Sequence, residues 1–85
     1  MNILVTGGSG YIGSHACVAL LAAGYAVTVV DDLSNSRIEV IDRVAQIAGQ
    51  RPRFFAGDVR DRELLRRVFS TSRIDAVIHF AGLKA

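Results

Sequence analysis

The feature that most constrains this chain is an apolar run that breaks into glycine and resumes as a helical pattern, Ile3-Leu4-Val5-Thr6-Gly7-Gly8-Ser9-Gly10-Tyr11-Ile12-Gly13. Read as strand, turn and helix, it puts Gly7, Gly10 and Gly13 where main chain must pass close to something bulky. Gly8, Gly10 and Gly13 also satisfy the G-x-G-x-x-G spacing of dinucleotide-binding turns. The amides at such a helix start, together with the positive end of the helix dipole, suit a pyrophosphate. Glycine turns are common, so the spacing alone is a weak signal, and its flanks decide the reading.

The second flank supplies an acid. Asp31 ends the next apolar run, Ala26-Val27-Thr28-Val29-Val30, roughly twenty residues after the turn, where a carboxylate accepts hydrogen bonds from the ribose on the adenine side. A carboxylate there repels a 2′-phosphate, and Asp32 beside it adds to the repulsion. The expected cofactor is therefore NAD rather than NADP, with Arg37 the one nearby base that argues otherwise.

Periodicity alternates regularly along the rest of the chain. Residues 2–6 read as a buried strand. Residues 11–23 read as a helix with Ile12, Ala16, Ala19, Leu20 and Ala23 on one apolar face, stopped by Gly24. His15 falls in its first turn as a surface or locally bonded residue. Residues 26–31 form a second strand, apolar throughout as a doubly covered strand should be. A helix over about 37–48 follows, with a capping box from Ser36 to Glu39, and Ile38, Ile41, Val44, Ala45 and Ala48 directed at the sheet. Phe54-Phe55-Ala56 is the third strand. Asp61 is placed to cap a third helix at about 62–70, with apolar positions Leu64, Leu65, Val68 and Phe69 and a Glu63–Arg67 surface pair. Residues 75–80 are the fourth strand.

This βαβαβαβ order predicts an α/β fold, a Rossmann-type doubly wound parallel sheet in strand order 3-2-1-4 with ligands across the carboxyl ends. Polar and glycine-rich residues collect at those ends. Asp58 is placed to accept from the adenine amino group while the Val59 amide donates to the ring; a plain turn acid is the other reading of Asp58. Phe80-Ala81-Gly82 would run main chain past the cofactor or is a plain strand end, and Lys84 is either a phosphate or active-site charge or a solvated lysine.

Composition narrows the classes. The net charge is +2, and nine of the ten basic residues are arginines scattered over Arg37 to Arg73 rather than gathered with aromatics, which argues against nucleic acid as a partner. The lone Cys17 has no disulfide partner and no metal spacing, so no metal is expected. No apolar run reaches the roughly 20 residues of a membrane span, and no leader pattern opens the chain; a cytoplasmic protein is expected.

Thr6-Gly7-Gly8-Ser9-Gly10-Tyr11-Ile12-Gly13-Ser14-His15, Asp58-Val59-Arg60 and His79-Phe80-Ala81-Gly82-Leu83-Lys84-Ala85 together resemble the N-terminal part of the UDP-hexose 4-epimerases of the extended short-chain dehydrogenase/reductase family. The likeness covers all 85 residues. The first motif is shared across the superfamily, and the last is the more specific. Carried over position by position, the family's NAD contacts fall on Gly7, Gly10, Tyr11, Ile12 and Gly13. They continue on Asp31, Asp32, Leu33, Ser34, Asn35 and Ser36, then on Asp58 and Val59, and finally on Phe80, Ala81, Gly82, Leu83 and Lys84. Asp32 departs from the asparagine common in the family, which leaves the NAD preference intact and alters the ribose loop.

The resemblance implies a redox-neutral inversion at C4 of a UDP-hexose, carried out by a homodimer with a Tyr-x-x-x-Lys pair and a Ser or Thr. None of these catalytic groups is present: Tyr11 is followed four residues on by His15, and Tyr25 by Val29. The chain reads as the N-terminal part of an NAD-binding domain, inactive alone, with strand 4 left as an exposed edge and stability marginal at this size. Another nucleotide-sugar dehydratase or reductase, or a non-catalytic NAD-sensing regulator on the same fold, remains open at this point.

Overall fold

The computed structural model describes residues 1–34 and 37–80. Four strands, β1 (Asn2–Thr6), β2 (Ala26–Asp31), β3 (Arg53–Ala56) and β4 (Ala76–His79), alternate with three helices, α1 (Tyr11–Ala22), α2 (Glu39–Ala48) and α3 (Arg62–Thr71). The sheet is parallel throughout in the order β3-β2-β1-β4, as the alternation of periods predicts. The chain reverses direction across the sheet between β1 and β4, and the carboxyl ends of those two strands define the crevice of a doubly wound fold.

Strand side chains alternate between two cores. Ile3, Val5, Val27 and Val29 pack with Cys17 and Leu21 of α1 and with Ile41 and Val44 of α2. On the other face, Leu4 and Val30 pack with Leu64 and Val68 of α3. β2 is therefore covered on both sides, and its residues from Val27 onward are all buried, which is why its sequence is a continuous apolar run. β4 is the exposed edge: Ala76, Val77 and His79 face solvent, as does Phe69 of α3. The sequence reading anticipates that edge.

The helix ends follow local chemistry. α1 stops in a Schellman motif, with the Tyr25 amide bonded to the Leu20 carbonyl, the Gly24 amide to Leu21, and Gly24 at φ +94. Asp61 caps α3, its carboxylate accepting from the amides of Glu63 at 3.0 Å and Leu64 at 3.3 Å, a contact of the class worth about 1 kcal/mol.

Several expectations are corrected. The buried side of α1 is Gly13, Cys17 and Leu21, not the side carrying Ile12, Ala19 and Ala23, which are exposed. α1 is apolar almost all round, so periodicity cannot choose its face; the contact of Gly13 with the glycine turn does. α2 starts at Glu39 rather than 37, because Arg37 and Ile38 form a tight i→i+3 turn beneath Val40 and Ile41, and Ile38 stays on the surface. Ser36, the other half of the expected capping box, lies outside the described residues. Glu63 pairs with Arg66 at 3.1 Å instead of Arg67; both positions adjoin it on the helix surface.

Candidate functional site

The turn after β1 divides labour among its glycines. Gly7 takes φ +74 and its amide bonds to the Val30 carbonyl of β2, which holds the turn against the neighbouring strand. A Cβ on Gly8 would meet the Val29 methyls at 2.7 and 2.8 Å, so Gly8 is a packing residue facing inward. Gly13 is packed against the turn itself, where a Cβ would lie 2.1 Å from the Gly7 oxygen. Among the described residues the space around Gly10 is open: the one close neighbour of an added Cβ would be the Gly7 oxygen at 3.4 Å. Gly10 is the N-cap of α1 and offers no capping side chain. The first amides of α1, Tyr11 to Gly13, have no intrahelical acceptor, while Ser14 already donates to the Gly10 carbonyl. An open backbone cradle, amides without an intrahelical acceptor and a helix N-terminus thus coincide among the described residues, an arrangement that suits a diphosphate.

Asp31 is turned into this edge. One carboxylate oxygen accepts the Ser9 amide at 3.1 Å and the other the Leu33 amide at 2.8 Å. The residue is 9 % exposed, so its carboxylate is held at the carboxyl end of β2 with little freedom. Leu33 stands at φ +61, a left-handed conformation that costs an L side chain on the order of 1 kcal/mol. The Ser34 amide donates to Asp32 at 2.9 Å.

At the far end, Asp58 is gripped by Arg60. The Arg60 amide donates to one oxygen at 2.8 Å, and its guanidinium forks onto both. This hydrogen bond and the Asp58 charge, with Asp32 adding, push the Arg60 guanidinium above its ordinary value. The turn role of Asp58 is thus realised, and Val59 lies half-buried beside it. Arg60, rather than the exposed Arg37, is the cation paired with this corner. Phe80 closes the row: its amide bonds to the Thr6 carbonyl at 2.9 Å, and Thr6 Oγ1 shares a hydrogen bond with His79 Nδ1.

The structure therefore brings Gly7, Gly10, Tyr11, Ile12, Gly13, Asp31, Asp32, Leu33, Ser34, Asp58, Val59 and Phe80 to one edge, with Gly13 as a packing element beneath the turn. Asn35, Ser36, Ala81, Gly82, Leu83 and Lys84 lie outside the described residues. His15 is on the surface with its ring edge-on to Tyr11, centroids 4.7 Å apart. Sequence reasoning missed the grip of Ser9 on Asp31 and of Arg60 on Asp58; the i+2 spacing of Asp58 and Arg60 is the signal of a local Asx turn that could have exposed the second. A cleft lined by Asn2, Gln50, Arg51 and Arg53 lies at the other end of the strands, away from these groups. Among the described residues no group of three or more His, Cys, Asp or Glu could hold a metal, and no helix is long and apolar enough to cross a membrane.

Cys17 lies under the turn, its thiol 3.8 Å from the Gly8 carbonyl, and burial pushes its pKa up to about 11. Below pH 9 the thiol is protonated folded or unfolded. Between pH 9 and about 11 the unfolded chain releases the proton and the folded chain keeps it, so stability falls with rising pH across that window. The loss is of order 2–3 kcal/mol. Denaturant melts of wild type and Cys17→Ala across that range measure it, and the alanine protein should lack this part of the decline.

A family model described as the NAD dependent epimerase/dehydratase family matches residues 3–85. A UDP-glucose 4-epimerase of Neisseria meningitidis serogroup A is 58% identical over 84 residues, 99% of this chain and 25% of the relative. The UDP-glucose 4-epimerase from Bifidobacterium longum in complex with NAD+ and UDP superposes with a TM-score of 0.97 at 49% identity, covering 100% of this chain and 25% of that one. The enzyme from Stenotrophomonas maltophila with bound NAD and formylated UDP-arabinopyranose gives 0.95 at 50% identity, with the same coverage. The chain thus spans about a quarter of the length of the curated relatives it matches. With its cradle at Gly10, its acid at the end of β2 and a family match that runs almost end to end, the chain belongs to the NAD dependent epimerase/dehydratase family.

Proposed function

We propose that this chain is the cofactor-binding quarter of a UDP-glucose 4-epimerase, which interconverts UDP-glucose and UDP-galactose through a 4-keto sugar. NAD lies along the carboxyl edge of the sheet. The amides of Tyr11 and Ile12 face its diphosphate, Asp31 accepts from the adenine-side ribose, and Asp58 and Val59 meet the adenine. Phe80 lies at the nicotinamide half, with Leu33 and Ser34 beside the ribose; the NAD contacts that the resemblance implies for Asn35, Ser36 and Ala81 to Lys84 are part of the same proposal. When bound, NAD supplies a reversible hydride acceptor for C4 of the hexose. The residues of this chain bind, orient and exclude water, and none of them takes the sugar proton. The observation that carries the reading is Asp31, almost buried and aimed at the glycine turn, on a chain 58% identical to an epimerase. A UDP-hexose substrate, a homodimer and a place in cytoplasmic galactose metabolism complete the proposal.

The test is made on the full-length protein. Incubation with UDP-galactose should yield UDP-glucose with no net consumption of added NAD, followed by NMR of the anomeric protons. A 4-keto-6-deoxy product would make the enzyme a dehydratase instead, and absence of an NAD-dependent rise in melting temperature would remove the cofactor reading altogether.

A further inference from the structure

Three of the loops at the nucleotide edge meet at one residue. The Asp31 carboxylate accepts the Ser9 amide from the glycine turn and the Leu33 amide from the loop after β2, while its main-chain carbonyl accepts the Gly57 amide from the loop after β3 at 3.0 Å. Ser9 is 1 % exposed and Asp31 9 %, so the contact between them is shielded from water, and a hydrogen bond to a shielded charge is among the strong ones. Leu33, meanwhile, is kept in a left-handed conformation that leucine does not choose on its own. A side chain needed only to receive a ribose would not have to be committed on both oxygens to main chain.

We infer that Asp31 is a positioning residue for the diphosphate turn as well as a ribose acceptor. It fastens Ser9, and hence the cradle at Gly10, to the end of β2, and it pins Leu33 so that the ribose loop is set before any nucleotide arrives. The pyrophosphate subsite and the ribose subsite are then coupled through one carboxylate. This rests on the NAD reading for its consequence in binding, although the fastening itself is a property of the unliganded protein.

Two arms test it on the full-length protein. In the first, hydrogen exchange of the unliganded protein is read at Ser9 and Leu33. Both amides should exchange at least about ten-fold slower than unstructured ones, and Asp31→Asn, which keeps the shape but only one acceptor oxygen, should release at least one of them by a similar factor. In the second, binding of NAD is compared with that of an analogue lacking the 2′- and 3′-hydroxyls of the adenosine ribose. A mere ribose acceptor predicts that Asp31→Asn leaves the analogue's affinity unchanged or raises it, since a negative charge near a diphosphate has been removed. A positioning residue predicts a fall, by about five-fold or more. An unprotected Ser9 amide in the wild type, or undiminished binding of the analogue by Asp31→Asn, overturns the inference. If the wild type binds neither nucleotide the cofactor reading fails, and the exchange arm still decides the fastening. Should Asp31→Asn not fold, the wild-type exchange rates decide it alone.

Discussion

Gly13→Ala should destabilise the full-length protein by about 3 kcal/mol or more. The added methyl would sit 2.1 Å from the Gly7 oxygen and 2.9 Å from the Gly7 carbonyl carbon and the Gly8 Cα. All three are main-chain atoms of a turn that is itself bonded to β2 through the Gly7 amide, so nothing can rotate aside. Relief requires lifting the start of α1 off the sheet. That loosens Cys17 and Leu21 from Ile3, Val5, Val27 and Val29, the middle of the larger core. Overpacking of this kind costs about 3 kcal/mol or more, a large share of the roughly 5–15 kcal/mol that holds a domain together. Guanidinium melts of the full-length protein measure the loss. A midpoint close to wild type would mean that α1 does not lean on the turn as described.

The same contact explains what could and could not be read from the sequence. Strand order was legible because each of β2, β3 and β4 follows a helix within a few residues, which leaves few topologies once crossovers must be short and right-handed. Gly24 and Asp61 were legible for a related reason: caps are local, and the structure puts a left-handed glycine at the end of α1 and a bonded carboxylate at Asp61. The face of α1 was not legible. Its residues are apolar nearly all round, so the choice between Ile12–Ala19–Ala23 and Gly13–Cys17–Leu21 falls to a tertiary contact that no period encodes. In α2, where polar residues mark one side clearly, Ile41 and Val44 were placed correctly. Within the site, the acid at the end of β2 could be found by spacing. Its hold on Ser9 could not, because that bond joins residues 22 apart through the geometry of two adjacent strands.

Gly10→Ser separates folding from binding at the neighbouring glycine. Gly10 has φ −74 and ψ 175, a conformation any residue adopts, and the nearest atom to an added Cβ is the Gly7 oxygen at an acceptable 3.4 Å. Serine is also a preferred N-cap, whereas Gly10 brings no side-chain cap to α1. Its hydroxyl would accept from the amides of Ile12 or Gly13, the groups that the cradle otherwise offers to an anion. The unliganded protein should therefore melt at the wild-type temperature or slightly above it. Binding should collapse, since the new side chain both occupies the space a diphosphate needs and satisfies the donors that would hold it. A loss of about 100-fold or more in NAD affinity, near 3 kcal/mol, is expected, seen as disappearance of the NAD-induced rise in melting temperature. If the serine protein bound NAD as the wild type does, the diphosphate would have to lie elsewhere than over the start of α1. Two glycines three residues apart in one turn would thus answer to different demands: at Gly13 a side chain is excluded by the protein's own main chain, and at Gly10 the proposed diphosphate would exclude it.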